Sequence, residues 1–334
     1  MSTSTLPTDL SDLQNDLIQR VRDETGVTTT NTIATRFLNI GLADMHSDPG
    51  SVFPWAARRA VLITHAPYTT GTVSITAAAR TTVTGASTLW NTAVTGFGFN
   101  NARIGGKMVF SGLSEIYDVS AVGSDTAITL ANRYTGAALS GASYTYFEDE
   151  YALAADFARP VDLSMFSTDA RIPLIGPIKF RQLVPRNDNR SKPKIATLIQ
   201  LVFATTTAPR YRVVLSPVPD DEYSIPYWYV TTNLAMSSSG VEQAGLSAAG
   251  DEPIVPLRYR YGIVLHALYH WYRDRKDDPR SQEVKAEYTE FMQRAIGDFK
   301  TGDDRPRLVV TRQGRASGRR GRFDVGGRWD SLEW

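Results

Sequence analysis

Apolar residues recur at helical spacing at both ends of the chain and at strand spacing in between. Near the start, Leu10, Leu13, Leu17, Ile18 and Val21 lie at offsets of zero, three, seven, eight and eleven, the stripe of an amphipathic helix. Gly26 follows as a stop and Thr8 stands where an N-cap belongs, so the pattern predicts a helix over about 8–25. A second helix is predicted over about 30–45, with Ile33, Phe37 and Ile40 on one line and Ala34, Leu38, Leu42 and Met45 on the next. So broad an apolar face needs packing on more than one side. SDPGSVFPW breaks the helix, and RRAVLITHA (58–66) has the β-branched density of a strand.

From about Tyr68 to Phe147 the period changes to two. GTVSITAAARTTVTGASTLWNT (71–92) reads as strand, turn and strand, and KMVFSG, IYDVSAV, AITLA and SYTYF continue the pattern between turns rich in Gly, Ser, Asn and Asp. Strand-like runs at roughly ten-residue spacing predict a small antiparallel barrel or sandwich. Beyond it, YALAADFARPVDL leads to three more strand candidates, ATLIQLVF, RYRVVLSPVP and EYSIPYWYVTTNLAM, and then to a loop of Ser, Gly and Ala over 237–250.

Helical spacing returns with Leu257, Tyr261, Val264, Leu265, Leu268 and Tyr272, while Tyr259, Ile263, His266, His270 and Trp271 keep the other sides of that helix non-polar. DDP at 277–279 offers an Asp N-cap and a Pro at the first position of a last helix carrying Val284, Tyr288, Phe291, Met292, Ala295, Ile296 and Phe299. Together these two helices read as a helical hairpin. The fold class is therefore α+β. Residues 1–66 supply N-terminal helices and a strand of a framework, 67–148 an inserted antiparallel β barrel or sandwich, 149–300 the rest of the framework with its C-terminal helical hairpin, and 301–334 an extended basic arm.

Charge and composition remove several function classes. The 36 basic and 35 acidic side chains leave a net charge of +1, too small for a surface built as a whole to attract nucleic acid or anionic membrane. The absence of cysteine excludes disulfides and thiolate chemistry and fits a reducing compartment. MSTSTLPTDLSDLQNDL has no basic n-region or apolar h-region, and no later run reaches about 18 apolar residues, so synthesis in the cytoplasm without export and no membrane span are expected.

Candidate chemistry is sparse. His266 and His270 sit four apart in HALYH, a spacing that lets two imidazoles meet one metal. The Glu beside the first His that zinc hydrolases of the His-Glu type use is missing and no third ligand is suggested, so helix packing or an intersubunit hydrogen bond is preferred. FEDEY (147–151) gathers three carboxylates, but neighbours on a strand point to opposite faces, which favours a solvated junction over a glycosidase pair. No catalytic residue, cofactor or metal is assigned.

Two groups point to protein partners. Tyr261, His266, Tyr269, Trp271 and Phe291 offer more aromatic surface than one hairpin hides and are expected at a subunit interface of a homo-oligomer. The arm holds eight arginines from Arg305 onward and too few apolar residues for a core of its own. Arg307, Arg312, Arg315, Arg319, Arg320 and Arg322 with Phe323, Trp329 and Trp334 have the composition of a segment that docks onto another protein. Contact with nucleic-acid phosphate and a tail without fixed structure are the alternatives, and Asp324, Asp330 and Glu333 dilute the charge that the first of these needs.

The two N-terminal helices ending near GLADMH, YALAADFARPV (151–161), RVVLSPVPDDEYSIPYWYVTTNLA (212–235) and DEPIVPLRYRYGIVLHALYHWYRDRKD (251–277) occur in an order that resembles the head-to-tail adaptor, or connector, proteins of tailed bacteriophages. The β insertion looks like modules found in phage connector and tail proteins. The resemblance implies a structural virion protein rather than an enzyme: a ring, commonly of twelve subunits, at the neck between head and tail. Such a ring sits below the portal and passes the DNA channel on to the tail-tube or nozzle proteins. The long basic arm departs from the family pattern, which fixes no partner for it, and is expected to dock on the portal protein or a neighbouring subunit. DNA is only passed through, without sequence-specific binding. A virion-associated cell-wall hydrolase and a receptor-binding tail module built on the β insertion are the competing readings.

Overall fold

The computed structural model describes residues 6–21, 28–47, 53–165, 170–201 and 210–299. They divide into a strand unit, residues 57–232, and a helical unit that joins residues 1–56 to 233–334. Five α-helices are described: α1 (Leu10–Val21), α2 (Thr28–Ser47), α3 (Pro177–Leu183), α4 (Arg260–Asp274) and α5 (Asp278–Phe299). All but α3 belong to the helical unit. Among the described residues, no helix is long and apolar enough to cross a membrane.

The strand unit begins with β1 (Ala57–Ile63) and then builds a curled antiparallel sheet. Its strands are β2 (Thr72–Ile75), β3 (Thr82–Ala86), β4 (Lys107–Phe110), β5 (Tyr117–Ser124), β6 (Ala127–Leu130), β7 (Leu139–Ala142) and β8 (Tyr144–Phe147), in the order β7-β2-β3-β6-β5-β4-β8. The two edge strands are consecutive in the chain and separated by Ser143 alone. Edges joined by one residue cannot lie far apart, so the sheet must curl into a half-barrel. Alternation decides which face turns inward. Val83 and Ile128 are buried where Thr82, Thr84 and Thr129 are exposed, and Val73, Ile75, Met108, Phe110, Tyr117, Val119, Leu130 and Tyr146 complete the concave core. Trp90 lies fully inside it and donates its indole N–H to Tyr144 Oη at 2.8 Å. The expected barrel or sandwich is thus one curled sheet with a single apolar side. Tyr68 and Tyr146 exchange both backbone hydrogen bonds at 2.8 Å, so the chain enters and leaves this sheet at one point.

The remaining strands of the unit face each other across a second core. β9 (Glu150–Ala152), β12 (Ile195–Leu201) and β13 (Arg210–Ser216) form one sheet, ordered β12-β13-β9. β10 (Phe157–Met165), β11 (Ala170–Arg171) and β14 (Ser224–Thr231) join β1 in the other, ordered β1-β14-β10-β11. Leu62, Ile225, Tyr227 and Tyr229 of the second sheet pack with Tyr151, Ala196, Val213 and Leu215 of the first. The sequence grouped these strands with the helices, whereas the compact units divide after Ala56 and after Thr232.

In the helical unit the first helix is capped one residue later than expected. Asp9 Oδ1, not Thr8, accepts the Asp12 N–H at 2.9 Å, and the Asp12 carboxylate in return accepts from Thr8 Oγ1 at 2.6 Å and Thr8 N at 3.1 Å. These bonds from Thr8 lower the Asp12 pKa. Leu10, Leu13, Leu17 and Ile18 of α1 share one core with Ala34, Leu38, Leu42 and Met45 of α2, Ile263, Val264, Ala267 and Leu268 of α4, and Met292 and Ala295 of α5. Gly41 sets how closely α2 meets α4, because a Cβ there would stand 3.0 Å from the Ile263 carbonyl oxygen and 3.2 Å from His266 Cβ. At the end of α4, Lys276 takes a left-handed φ of 60° and Asp277 N–H reaches back to Tyr272 O at 2.9 Å. Asp277 O then accepts the Ser281 N–H at 3.0 Å, so that α5 starts one residue earlier than expected, with Asp277 before it and Pro279 as its second residue instead of its first.

The loop before α4 is held by two buried charges. Short strands β15 (Ala235–Met236), β16 (Glu242–Gln243) and β17 (Glu252–Pro253) pair in the order β16-β15-β17. The Asp251 carboxylate accepts from Ala248 N (2.7 Å), Ser247 N (2.7 Å), Ser247 Oγ (2.9 Å) and Gln243 Nε2 (2.6 Å), which pulls its pKa down to about 2. Buried Arg260 donates to Val255 O at 2.9 Å, Pro253 O at 3.2 Å, Glu252 Oε2 at 3.1 Å and Thr8 O. A folded-state pKa below the ordinary 3.8 means that Asp251 stabilises the fold fully above about pH 4 and loses that contribution as pH falls through about 2. Asp251→Asn is expected to cost about 2 kcal/mol at neutral pH. The gap between wild type and variant should narrow as the pH falls from about 4 to about 2, read by urea denaturation across that range. A gap that stays constant over that range would contradict the assignment.

Candidate functional site

The aromatic group expected at an interface lies on α4 and α5, and only part of it reaches the surface. Trp271 is 3% exposed and packs edge-on to Phe37 at 5.8 Å, and His266 is buried between Tyr269 and Tyr288, with ring centroids at 5.9 and 4.7 Å. Both side chains belong to the core of their own unit. Tyr261, Tyr269 and Phe291 are half-buried. Phe291 lies against Gly262, where a Cβ would stand 2.6 Å from its ring, and meets Tyr261 edge-on at 6.0 Å. Tyr261 in turn donates to Glu287 Oε1 at 3.0 Å and carries the Arg20 guanidinium 4.9 Å over its ring. Tyr269 carries Lys285 Nζ at 5.7 Å.

The structure supplies the third ligand that the sequence lacked for His266 and His270. Asp44 on α2 places Oδ2 3.3 Å from His266 Nε2 and 3.8 Å from His270 Nε2. It arrives there because Gly41, one turn earlier on the same helix, lets α2 press against α4 at His266. Burial lowers the pKa of both imidazoles, with the Asp44 carboxylate opposing it, so both rings are neutral at neutral pH. His270 Nε2 and His266 Nδ1 are buried and make no hydrogen bond. Two neutral imidazoles and a carboxylate form a donor set suited to Zn²⁺ and related ions. The residue that sequence reasoning missed, Asp44, stands in GLADMH more than two hundred positions from its partners, and no local pattern links them.

The acidic run FEDEY is not solvated. Glu148 and Asp149 are 3% and 1% exposed. Glu148 receives Arg103 through Nε at 3.0 Å and through Nη2, and also the Tyr146 hydroxyl at 2.6 Å. Asp149 receives Lys107 Nζ at 2.8 Å and Asn187 Nδ2 at 3.1 Å. Burial works against the Lys107 ammonium, but Asp149 and Glu150 outweigh it and raise its pKa. Burial and then the Glu148 charge push the Tyr146 hydroxyl well above its ordinary value. Glu148 and Asp149 lie between β8 and β9 rather than on a strand, both are buried, and each meets its own cation. A cleft of about 180 Å³ beside this network is lined by Leu62, Arg103, Glu148, Glu150, Tyr151 and Arg212. With Glu148 and Asp149 engaged in ion pairs, this run has no pair of free acids for hydrolysis.

A second surface was not foreseen. On the sheet of β1, β14 and β10, Val61 is 51% and Trp228 46% exposed, with Ile63 and Val161 also open. They alternate with the buried Leu62, Tyr227 and Tyr229, and the YWY run carried that signal. Arg307, Arg312, Arg315, Arg319, Arg320, Arg322, Phe323, Trp329 and Trp334 of the expected docking arm lie outside the described residues.

Comparison with known families gives one finding. The sequence model of a family described as SU10 adaptor protein matches residues 114–317, more than half of the chain. The match starts just before β5 and runs past the end of α5. No curated protein matches the chain.

The ion pairs of the strand unit can be weighed against one another. Glu148→Gln would leave the Arg103 guanidinium facing a neutral amide, and is expected to cost about 2 kcal/mol or more. Asp188→Asn, at the exposed Arg186 pair, should cost less than about 1 kcal/mol. Equal effects of the two substitutions in chemical denaturation would show that the Glu148 network contributes nothing special.

Proposed function

The chain belongs to the SU10 adaptor protein family of phage structural adaptors, and from that premise we propose that it is the head-to-tail adaptor of a tailed virion. In this reading it forms a ring, dodecameric like the portal beneath which it sits, links that portal to the tail or nozzle proteins, and continues the DNA channel. The observation that carries the proposal is the family match, which covers most of the strand unit's sandwich together with α4 and α5. Two features support it. Tyr261, Tyr269 and Phe291 give α4 and α5 a half-buried aromatic face of the kind that interfaces use. Val61, Ile63 and Trp228 give the strand unit an apolar face open to a protein neighbour.

Each segment then has a place in the neck. The helical unit, with its C-terminal helical hairpin, makes the ring wall. The module over residues 67–148, which the chain enters and leaves at the Tyr68–Tyr146 bridge, projects towards tail components. The arm beyond residue 300 docks on the portal through Phe323, Trp329 and Trp334, with its arginines paired to carboxylates.

Incubation of the purified chain with portal-bearing heads, followed by electron microscopy, tests the proposal. A ring with the symmetry of the portal is expected, and a chain truncated at Gly302 should stay folded but fail to join. Heads that never acquire the full-length chain would sink the adaptor reading. A truncated chain that attaches as well as the full one would sink only the role of the arm.

The interface can be probed separately with Tyr269→Ala. Ring assembly is expected to weaken by about 2 kcal/mol while the melting of the free subunit changes little. Unchanged assembly would move the interface off α4. Trp271→Ala, by contrast, should unfold rather than disassemble, because its indole lies in the core of its own unit.

A further inference from the structure

Three donor atoms on two helices converge in the helical unit without closing into hydrogen bonds of the length that their charges allow. Asp44 Oδ2, His266 Nε2 and His270 Nε2 stand 3.3 and 3.8 Å apart along the two carboxylate–imidazole edges, and the three residues offer ligand atoms all within 4.8 Å of one another. A charge-assisted nitrogen–oxygen bond closes to about 2.8 Å. Bonds of about 2.0–2.2 Å to a tetrahedral zinc ion instead hold neighbouring ligand atoms about 3.3 Å from each other. The two carboxylate edges approach the second arrangement, and the imidazole–imidazole edge, within 4.8 Å, closes on the ion as it binds.

We propose that Asp44, His266 and His270 bind one divalent transition-metal ion, Zn²⁺ by the chemistry of the donors, with water in the fourth position. Asp44 is 51% exposed, so an ion can enter and the open position faces solvent. The His266 ring is fixed between Tyr269 and Tyr288, and His270 stacks on Phe37 at 6.1 Å, so little rotamer freedom is lost on binding. The ion would staple α2 to α4, adding a bonded link to the apolar packing that already joins the two helices. This inference does not rest on the adaptor reading.

The test uses the full-length, tag-free chain, stripped with a chelator and titrated with Zn²⁺ by calorimetry and with Co²⁺ by visible absorption. One ion per chain is expected, with the d–d bands of a four-coordinate site for Co²⁺. Asp44→Asn and His270→Gln should each weaken binding by about ten-fold or more. Saturating Zn²⁺ should raise the melting temperature of the wild type by about 5 °C and leave that of Asp44→Asn unchanged. Asp44 is half exposed, so its substitution leaves the core intact and decides the matter even if His270→Gln fails to fold. A wild type that binds Zn²⁺ no more tightly than Asp44→Asn, or whose melting temperature Zn²⁺ does not move, overturns the proposal.

Discussion

The helical unit depends on the close approach of α2 to α4 at Gly41. A side chain at that position would meet backbone on the other helix, and backbone cannot swing aside as a flexible side chain can. Once the two helices touch, Leu38, Leu42 and Met45 reach Ile263, Val264 and Ala267, and α1 and α5 close over the remaining apolar stripes. The same approach brings Asp44 to the two histidines, and it leaves the outer sides of α4 and α5 to carry half-buried aromatics. Packing and candidate chemistry in this unit therefore share one geometric origin.

Polar burial follows a consistent rule in both units. Asp251 and Arg260 in one, and Glu148 in the other, are each surrounded by several partners and not by one, while Asp149 takes Lys107 and Asn187 on Oδ2 alone. A buried charge with a single partner seldom recovers its desolvation, whereas a carboxylate that satisfies three or four donors does. Such networks also fix geometry, because a shifted loop or strand would orphan several groups at once. The loop before α4 and the exit from the curled sheet, both poor in regular structure, are the places where the chain uses them.

Much of the fold was legible because its periods are strong. The helix expected over 8–25 is α1 at Leu10–Val21, the one expected over 30–45 is α2 at Thr28–Ser47, and TVSIT, TTVTG, KMVFSG, IYDVSAV, AITLA and SYTYF each hold a strand. β7 was missed, since LSGA has one apolar side chain beyond alanine and is defined only by pairing with β2 at the edge. The cap moved from Thr8 to Asp9 because either residue can serve, and packing against the 249–251 loop chose between them. The acid run was misjudged because a pattern of neighbours on a strand says nothing about cations brought in from residues 103 and 107. Asp44 was invisible for the same reason: long-range proximity leaves no trace in local spacing.

The helical unit is assembled from the two ends of the chain, and this sets an order of events during synthesis. α1 and α2 leave the ribosome early, yet the surface that covers Leu38 and Leu42 lies on α4, roughly 200 residues later. At about 5–20 residues per second the first helices wait for tens of seconds with their apolar face uncovered. The strand unit lies wholly within that interval and needs nothing from α4 for its own cores. Translation therefore favours a sequence in which the strands fold first and the helices last, and the early helices are the segment for which a holding chaperone would matter most.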